Sequence, residues 1–156
     1  MIKIAIPGRG NYSIKYLILD LNGTIAIDGT IIPGVKEKLG MLSQKVDIFL
    51  VTADTNNNAE VLVSELPVKL YQIKESEEND QKVKVVLKRG RNTTVSIGNG
   101  CNDVSMLKES AIGICIIGGE GASAEAVMAS DLVVSTVNDA LNLLLKPDRL
   151  RATLRK

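Results

Sequence analysis

Blocks of apolar and polar residues alternate along the chain and predict strands and helices in turn. Continuous apolar runs, such as 17–19 and 48–51, are typical of strands buried on both faces of a sheet. In contrast, Val35, Leu39 and Leu42 recur at helical spacing. Strands are predicted near 13–20, 46–51, 68–73, 93–97, 112–117 and 132–135, and helices near 33–44, 56–66, 82–89, 104–110, 122–129 and 138–145. This alternation indicates an α/β fold, with a parallel sheet covered by helices on both faces.

Two further segments predict hairpins outside that alternation. Residues 2–6 alternate like a half-exposed strand, and the turn-forming residues 7–11 connect them to the strand at 13–20. The glycines of this turn could belong to a phosphate loop, but no helix follows them, which favours a plain turn. Residues 25–32 have an Asp-Gly centre between apolar residues, the pattern of a tight hairpin that could form a small flap.

Two charged stretches are simplest to interpret as surface features. The acidic stretch 75–80 predicts a solvated loop. The basic segment 146–156 carries Leu150 and Leu154 at helical spacing, so it predicts a helix. That helix would dock on its own domain or form a contact in a homo-oligomer.

Length and charge limit the classes of protein to consider. A chain of 156 residues with 45% hydrophobic content predicts one domain, spanning 1–156. Its net charge of +1, from 19 basic and 18 acidic residues, offers no broad surface for nucleic acid or an anionic membrane. No apolar run approaches the roughly 18 residues of a membrane span, and the first residues lack a signal-peptide core. We therefore expect a cytoplasmic protein without nucleic-acid or membrane partners.

The residue inventory narrows the chemistry further. The chain has no histidine, which excludes histidine triads, histidine metal clusters and histidine acid–base catalysis. Cys101 and Cys115 are too few for a disulfide scaffold or a thiolate zinc site. Catalysis would have to use carboxylates, lysine, hydroxyls, backbone amides or a metal held by oxygen.

Polar side chains follow three of the predicted strands at the point where each ends. They are Asp20, Thr52 and the set Asn99, Asn102 and Asp103. Because the carboxyl ends of parallel strands meet at one edge, these residues should lie together, with Lys82 as the nearby cation. A carboxylate nucleophile, a hydroxyl, a lysine and oxygen ligands for Mg²⁺ are the groups that phosphoryl transfer requires. Asp20 alone could end an ordinary strand before an Asn-Gly turn, but the whole set favours a nucleophile.

Over about residues 15–145 these motifs resemble the haloacid dehalogenase superfamily, and within it the phosphorylation domain of P-type ATPases and their soluble relatives. Motif I appears as Asp-Leu-Asn-Gly-Thr at 20–24, motif II as Thr52, motif III as Lys82 and motif IV as Gly-Asn-Gly-Cys-Asn-Asp at 98–103. The resemblance implies a three-layer, Rossmann-like fold. About 30 residues separate motif I from motif II and motif II from Lys82, which leaves no room for a sizeable cap.

The resemblance also implies a role for each site residue. Asp20 would attack phosphorus and become an aspartyl phosphate. Phosphate would be bound by Thr52, Ala53, Lys82 and Asn102, with Lys84 as the alternative to Lys82. Mg²⁺ would be held by Asp20, the backbone carbonyl of Asn22, Asn99 and Asp103.

Two positions depart from the common phosphatase pattern. Asn22 stands where most relatives have the aspartate that protonates the leaving group, and an amide cannot exchange that proton. Asn99 stands where they have a metal-binding aspartate, so one anionic ligand is missing. The sequence therefore predicts a slow Mg²⁺-dependent phosphohydrolase acting on a phosphorylated small molecule or macromolecule, or a phosphate-binding module without catalysis. A soluble partner in transport is a weaker third interpretation, since no room remains for a nucleotide-binding domain.

Overall fold

The computed structural model describes residues 1–53 and 58–156. The strands in chain order are β1 (Ile2–Ile6), β2 (Gly10–Ile14), β3 (Tyr16–Leu19), β4 (Ala26–Ile27), β5 (Thr30–Ile31), β6 (Asp47–Thr52), β7 (Lys69–Gln72), β8 (Thr94–Gly98), β9 (Ile112–Ile116) and β10 (Leu132–Val134). The α-helices are α1 (Val35–Ser43), α2 (Asn58–Val63), α3 (Glu78–Arg89), α4 (Val104–Glu109), α5 (Ala124–Ala129), α6 (Val137–Leu145) and α7 (Pro147–Leu154).

A six-stranded parallel sheet forms the centre, in the order β10-β9-β8-β3-β6-β7. Strand β3 lies between β6 and β8, with Ile18 opposite Phe49 on one side and Ser96 on the other. The predicted α/β fold is confirmed. Because β3, β6 and β8 are neighbours and parallel, the residues that follow them share one edge of the sheet.

Helices cover both faces of this sheet, as the unbroken apolar runs predicted. On one face Leu17 and Leu19 belong to a core shared with α1, α6 and α7. On the other, Ile18 and Phe49 pack with residues of α3 and α4. Burying each large apolar side chain contributes about 1.5–3 kcal/mol, so burial on both faces stabilises the central strand strongly.

The amino-terminal hairpin is confirmed, but the predicted strand at 13–20 is wrong as a single element. Strand β2 ends at Ile14 after pairing with β1, and β3 begins at Tyr16 in the central sheet. Lys15 lies between the two strands, and its backbone already bonds to the central sheet. Its N–H donates to Thr93 and its carbonyl accepts from Asp47. A periodicity that continues across Lys15 cannot reveal that the strand changes partners.

The basic segment forms helix α7, docked on its own domain. Leu150 and Leu154 are both buried in the main core. The N–H of Lys156 donates to the carbonyl of Pro7 at 3.1 Å, so this helix closes over the turn between β1 and β2. No phosphate loop forms at that turn, and it is the plain turn that the sequence favoured.

The acidic stretch 75–80 is not the solvated loop that the sequence predicted. Residues 75–77 form a 3-10 turn and α3 begins at Glu78. Glu78 and Asp80 lie in the first helical turn, where carboxylates are favoured by the partial positive charge of the helix amino end. The side-chain oxygen of Asn79 accepts from the N–H of Ser105 at 3.0 Å and ties this turn to α4.

The hairpin predicted at 25–32 is present as β4 and β5, joined at Asp28 and Gly29, which both have positive φ. Between Asp20 and α1, all of which the structure describes, the chain forms this hairpin and no larger inserted element. The predicted helix at 56–66 begins outside the described residues, and its described part ends at Val63. Over the described ranges, each helix is too short or too polar to span a lipid bilayer.

Candidate active site

Asp20 immediately follows β3 at the carboxyl edge of the sheet, and the residue is only 6% exposed. The Nζ atom of Lys82 donates to Asp20 Oδ1 at 2.7 Å and to Asp103 Oδ1 at 2.7 Å. Lys82 is fully buried, whereas Lys84 is exposed on α3. Of the two lysines that the sequence offered, the structure brings Lys82 to Asp20.

Two carboxylates and one ammonium group in a buried cluster leave a net negative charge. Burial raises the pKa of Asp20 to about 7, with a further contribution from the Asp103 charge, although Lys82 opposes the shift. Burial by itself would lower the pKa of Lys82, but the two carboxylates outweigh it and the pKa is raised. Lys82 is therefore a fixed cation, and the Asp20 carboxyl group changes charge near neutral pH.

Asp103 lies behind Lys82 with both side-chain oxygens engaged. Oδ1 accepts from Lys82, and Oδ2 accepts from the N–H groups of Asn99 and Gly100, each at 3.0 Å. A β-carbon at Gly98 would lie 2.5 Å from the carboxyl group, so only glycine leaves room for Asp103 there. The prediction that Asp103 binds a metal stays a prediction, and the observed contacts suit a residue that holds Lys82 and the motif IV loop in place.

Thr24 also lies at the site, although the sequence predicted no role for it. Its hydroxyl group lies 3.2 Å from Asp20 Oδ2, to which it donates, and 3.3 Å from Asn99 Oδ1. The side chain is fully buried. One hydroxyl group thus brings the oxygens of motifs I and IV together, and the position of Thr24 in the Asp-Leu-Asn-Gly-Thr motif was the available signal.

Asn102, predicted to support phosphate, donates its side-chain N–H to Glu78 on α3. Glu78 also had no predicted role, because the acidic stretch was interpreted as a loop. The contact fixes the side chain of Asn102 against α3. Whether that amide also reaches phosphate stays a prediction.

The remaining predicted residues lie along the same edge. Thr52 ends β6 and is 3% exposed, and the half-buried Ala53 follows it. Asp54, which follows Ala53 in the sequence, lies outside the described residues. Asn22 is exposed and borders a cavity of about 460 Å³ between the turn of the β4–β5 hairpin and α2.

Known proteins with similar sequences match only parts of this chain. No protein-family model matches the chain. Two uncharacterised proteins of Methanocaldococcus jannaschii are each 52% identical to it, over 61 and 40 residues, or 39% and 26% of this chain. The chain covers 66% of the first and 91% of the second, so it belongs to the same family as the second. Human phospholipid-transporting ATPase VB is 46% identical over 63 residues, which are 40% of this chain and 4% of the transporter.

Solved structures show the fold over most of the chain. The cobalt-bound deoxy-D-mannose-octulosonate 8-phosphate phosphatase of Haemophilus influenzae matches with a TM-score of 0.72 and 14% identity, over 92% of this chain and 94% of that one. The corresponding Moraxella catarrhalis enzyme, in complex with magnesium, phosphate and its sugar, gives 0.67 and 19%, over 91% and 94%. A zinc-transporting P-type ATPase gives 0.64 and 25%, over 80% of this chain and 20% of the transporter. This chain has the fold of the haloacid dehalogenase superfamily, its structural neighbours are phosphatases of that superfamily, and P-type ATPases match part of it.

Proposed function

We propose that the protein is a Mg²⁺-dependent phosphohydrolase that works through an aspartyl phosphate at Asp20. The observation that carries the proposal is the buried Lys82, held at 2.7 Å from both Asp20 and Asp103 at the carboxyl end of the central strand. A structural ion pair would need only one carboxylate. A lysine placed beside an aspartate at the ligand-binding edge of a parallel sheet can also neutralise a phosphoryl group.

In the first step an oxygen of Asp20 forms a bond to phosphorus as the bond from phosphorus to the leaving oxygen breaks. The leaving group departs as an anion or takes a proton from solvent. In the second step a water oxygen forms a bond to phosphorus as the bond from phosphorus to the Asp20 oxygen breaks, which restores the Asp20 carboxylate. Inorganic phosphate is released, and the proton of the water goes to the phosphate or to solvent. Lys82 stabilises the negative charge on the phosphoryl oxygens in both steps, and we assign Thr52, Ala53 and Asn102 to the binding of the same oxygens.

The donor atoms near Asp20 suit a hard cation. We propose that Mg²⁺ is held by Asp20, the backbone carbonyl of Asn22 and the side-chain oxygen of Asn99, since oxygen is the ligand that Mg²⁺ prefers. The Thr24 hydroxyl lies within 3.3 Å of oxygens from both Asp20 and Asn99, which shows that these two side chains converge. Bound Mg²⁺ would neutralise phosphoryl charge. Among the described residues no group of three acidic, cysteine or histidine side chains is arranged to hold a metal, so this site would depend on amide and backbone oxygens as well as on Asp20.

Asp20 is the residue whose modification tests this function. After incubation with acetyl phosphate and Mg²⁺, we expect intact-mass spectrometry to show one added phosphoryl group, which hydroxylamine removes because it is an acyl phosphate. Asp20→Asn should abolish the label. Asp28→Asn is the matched control, since it alters an exposed aspartate eight residues away at a position of positive φ that asparagine tolerates.

Two outcomes would contradict the proposal in different ways. A label that persists in Asp20→Asn would place the nucleophile elsewhere. The absence of both label and turnover, together with binding of inorganic phosphate, would favour the phosphate-binding module without catalysis.

The site favours substrates whose leaving group needs no proton. Asn22 cannot supply one, and the cavity beside it is lined by the apolar residues Leu21, Ala59, Val61 and Leu62 together with the amides Asn22 and Asn58. Such a wall suits an uncharged or aromatic leaving group. Since acid–base catalysis contributes about 10²–10⁴-fold, kcat/KM for acetyl or 4-nitrophenyl phosphate should exceed that for glycerol or glucose phosphates by at least about 10²-fold. Steady-state release of inorganic phosphate measures both, and equal values would show that protonation of the leaving group does not limit this enzyme.

A further inference from the structure

The metal site of the proposed function is short of negative charge. Of its side-chain donors, only Asp20 is a carboxylate, because Asn99 contributes an amide oxygen. Asp103 cannot easily make up the difference, since its oxygens accept from Lys82 and from two backbone N–H groups. The ammonium group of Lys82 cancels one of the two buried charges. A divalent cation would thus be offered less charge than hard cations usually receive.

The loop after β9 lies directly against the two motifs that hold these donors. The carbonyl of Gly121 accepts from the side-chain N–H of Asn99 at 2.9 Å. A β-carbon at Gly118 would lie 3.2 Å from the carbonyl oxygen of Gly23 in motif I. The loop has the sequence Gly-Gly-Glu-Gly at 118–121, and Gly118 and Gly121 have positive φ, which glycine adopts without strain. The charged residue that the loop delivers is Glu120.

The carboxylate of the exposed Glu120 and the side chain of Asn99 both lie against the backbone of Gly23. A β-carbon on Gly23 would lie 2.6 Å from Glu120 Oε2 and 2.8 and 3.1 Å from the amide nitrogen and oxygen of Asn99. Gly23 also has a φ of +76. Both this positive φ and the lack of space for a β-carbon favour glycine at the position. The ion pairs found among the described residues do not involve Glu120, which leaves its charge available.

We propose that Glu120 is the second carboxylate of the metal site and supplies the negative charge that Asn99 lacks. The inference rests on the proposed function, since it concerns the same Mg²⁺ site. It explains why a chain with an amide at the motif IV position can still hold a divalent cation. The required charge comes from the neighbouring loop instead of from motif IV itself.

Metal affinity, and not only activity, tests the assignment. Isothermal titration with Mg²⁺ at pH 8, where Asp20 is ionised, should show binding weakened by about 10- to 100-fold in Glu120→Gln. Glu125→Gln is the matched control, because it removes an equal charge from an exposed residue in the first turn of α5. We expect Glu125→Gln to bind like the unaltered protein. Circular dichroism would verify that each variant is folded.

Restoring the missing carboxylate at position 99 provides a second readout. If Glu120 compensates for Asn99, the double variant Asn99→Asp with Glu120→Gln should regain the affinity that Glu120→Gln lost. Equal affinities for Glu120→Gln and Glu125→Gln would overturn the inference and leave the proposed function intact. If the unaltered protein bound no Mg²⁺ at all, the metal-dependent function would fall and this inference with it.

Discussion

Replacing Asn22 with aspartate is expected to raise kcat/KM for alkyl phosphates by about 10²–10⁴-fold. The side chain is exposed beside the cavity, two residues after Asp20, so a carboxyl group there has room and access to a leaving oxygen. It could donate a proton as the alkoxide departs and accept one from the attacking water. Acetyl phosphate should gain little in the first step, because its leaving group is stable as an anion.

A matched variant separates proton transfer from a simple change of charge. Asn58→Asp adds the same charge to the same cavity, from α2 instead of motif I, and we expect no gain in kcat/KM. Phosphate release from glycerol phosphate, followed across pH, measures both variants. If Asn22→Asp stays as slow as the unaltered protein, the missing acid is not what limits the reaction. A module that has lost catalysis for other reasons would behave in this way.

Substituting Lys82 by methionine should lower the free energy of unfolding by about 3–5 kcal/mol, the usual cost of leaving a buried charge without its partner. Two carboxylates, Asp20 and Asp103, would then face each other in a buried site with no cation between them. Lys84→Met is the control, because Lys84 is an exposed residue on the same helix. Urea denaturation at pH 8 would compare the two variants, and equal losses would mean that Lys82 does not hold the cluster together.

The stability that Lys82→Met loses should also depend on pH. In Lys82→Met the folded state would bind a proton on the carboxylate pair more tightly than the unfolded state does, so the folded form gains stability as pH falls. Asp20, whose pKa is already raised to about 7, is the carboxyl group expected to take that proton. The loss relative to Lys84→Met should therefore be smaller at pH 5 than at pH 8. A loss of equal size at both values would contradict this account.

The sequence predicted the fold, the place of Asp20 at the carboxyl edge of the sheet, and Lys82 as the nearby cation. Once an apolar run identifies a buried parallel strand, the residue after it must lie at the carboxyl edge of the sheet. The residues that the sequence missed depend on contacts between distant segments. Thr24 joins the two motifs only because Asn99 lies beside it in the fold. Glu120 lies near the site only because its loop reaches Gly23. The local motif marks the position of Thr24 but not its contact with Asn99, and no local pattern marks Glu120.

Two predictions of secondary structure were wrong, each for a specific reason. The charges of the acidic stretch suggested a solvated loop, but in the first turn of α3 such charges favour a helix, and Glu78 then contacts Asn102. The strand predicted at 13–20 divides at Lys15 because its two halves pair with different strands. Apolar periodicity records which face of a strand is buried and not which strand lies next to it.

The burial of Lys82 between two carboxylates also decides when its conformational entropy is lost. An exposed lysine gives up roughly 1.5–2 kcal/mol of side-chain freedom when a ligand immobilises it. Lys82 is already held at 2.7 Å by Asp20 and Asp103 before any phosphate arrives, so that loss belongs to folding and not to substrate binding. An incoming phosphoryl group would therefore meet a cation that needs no rearrangement.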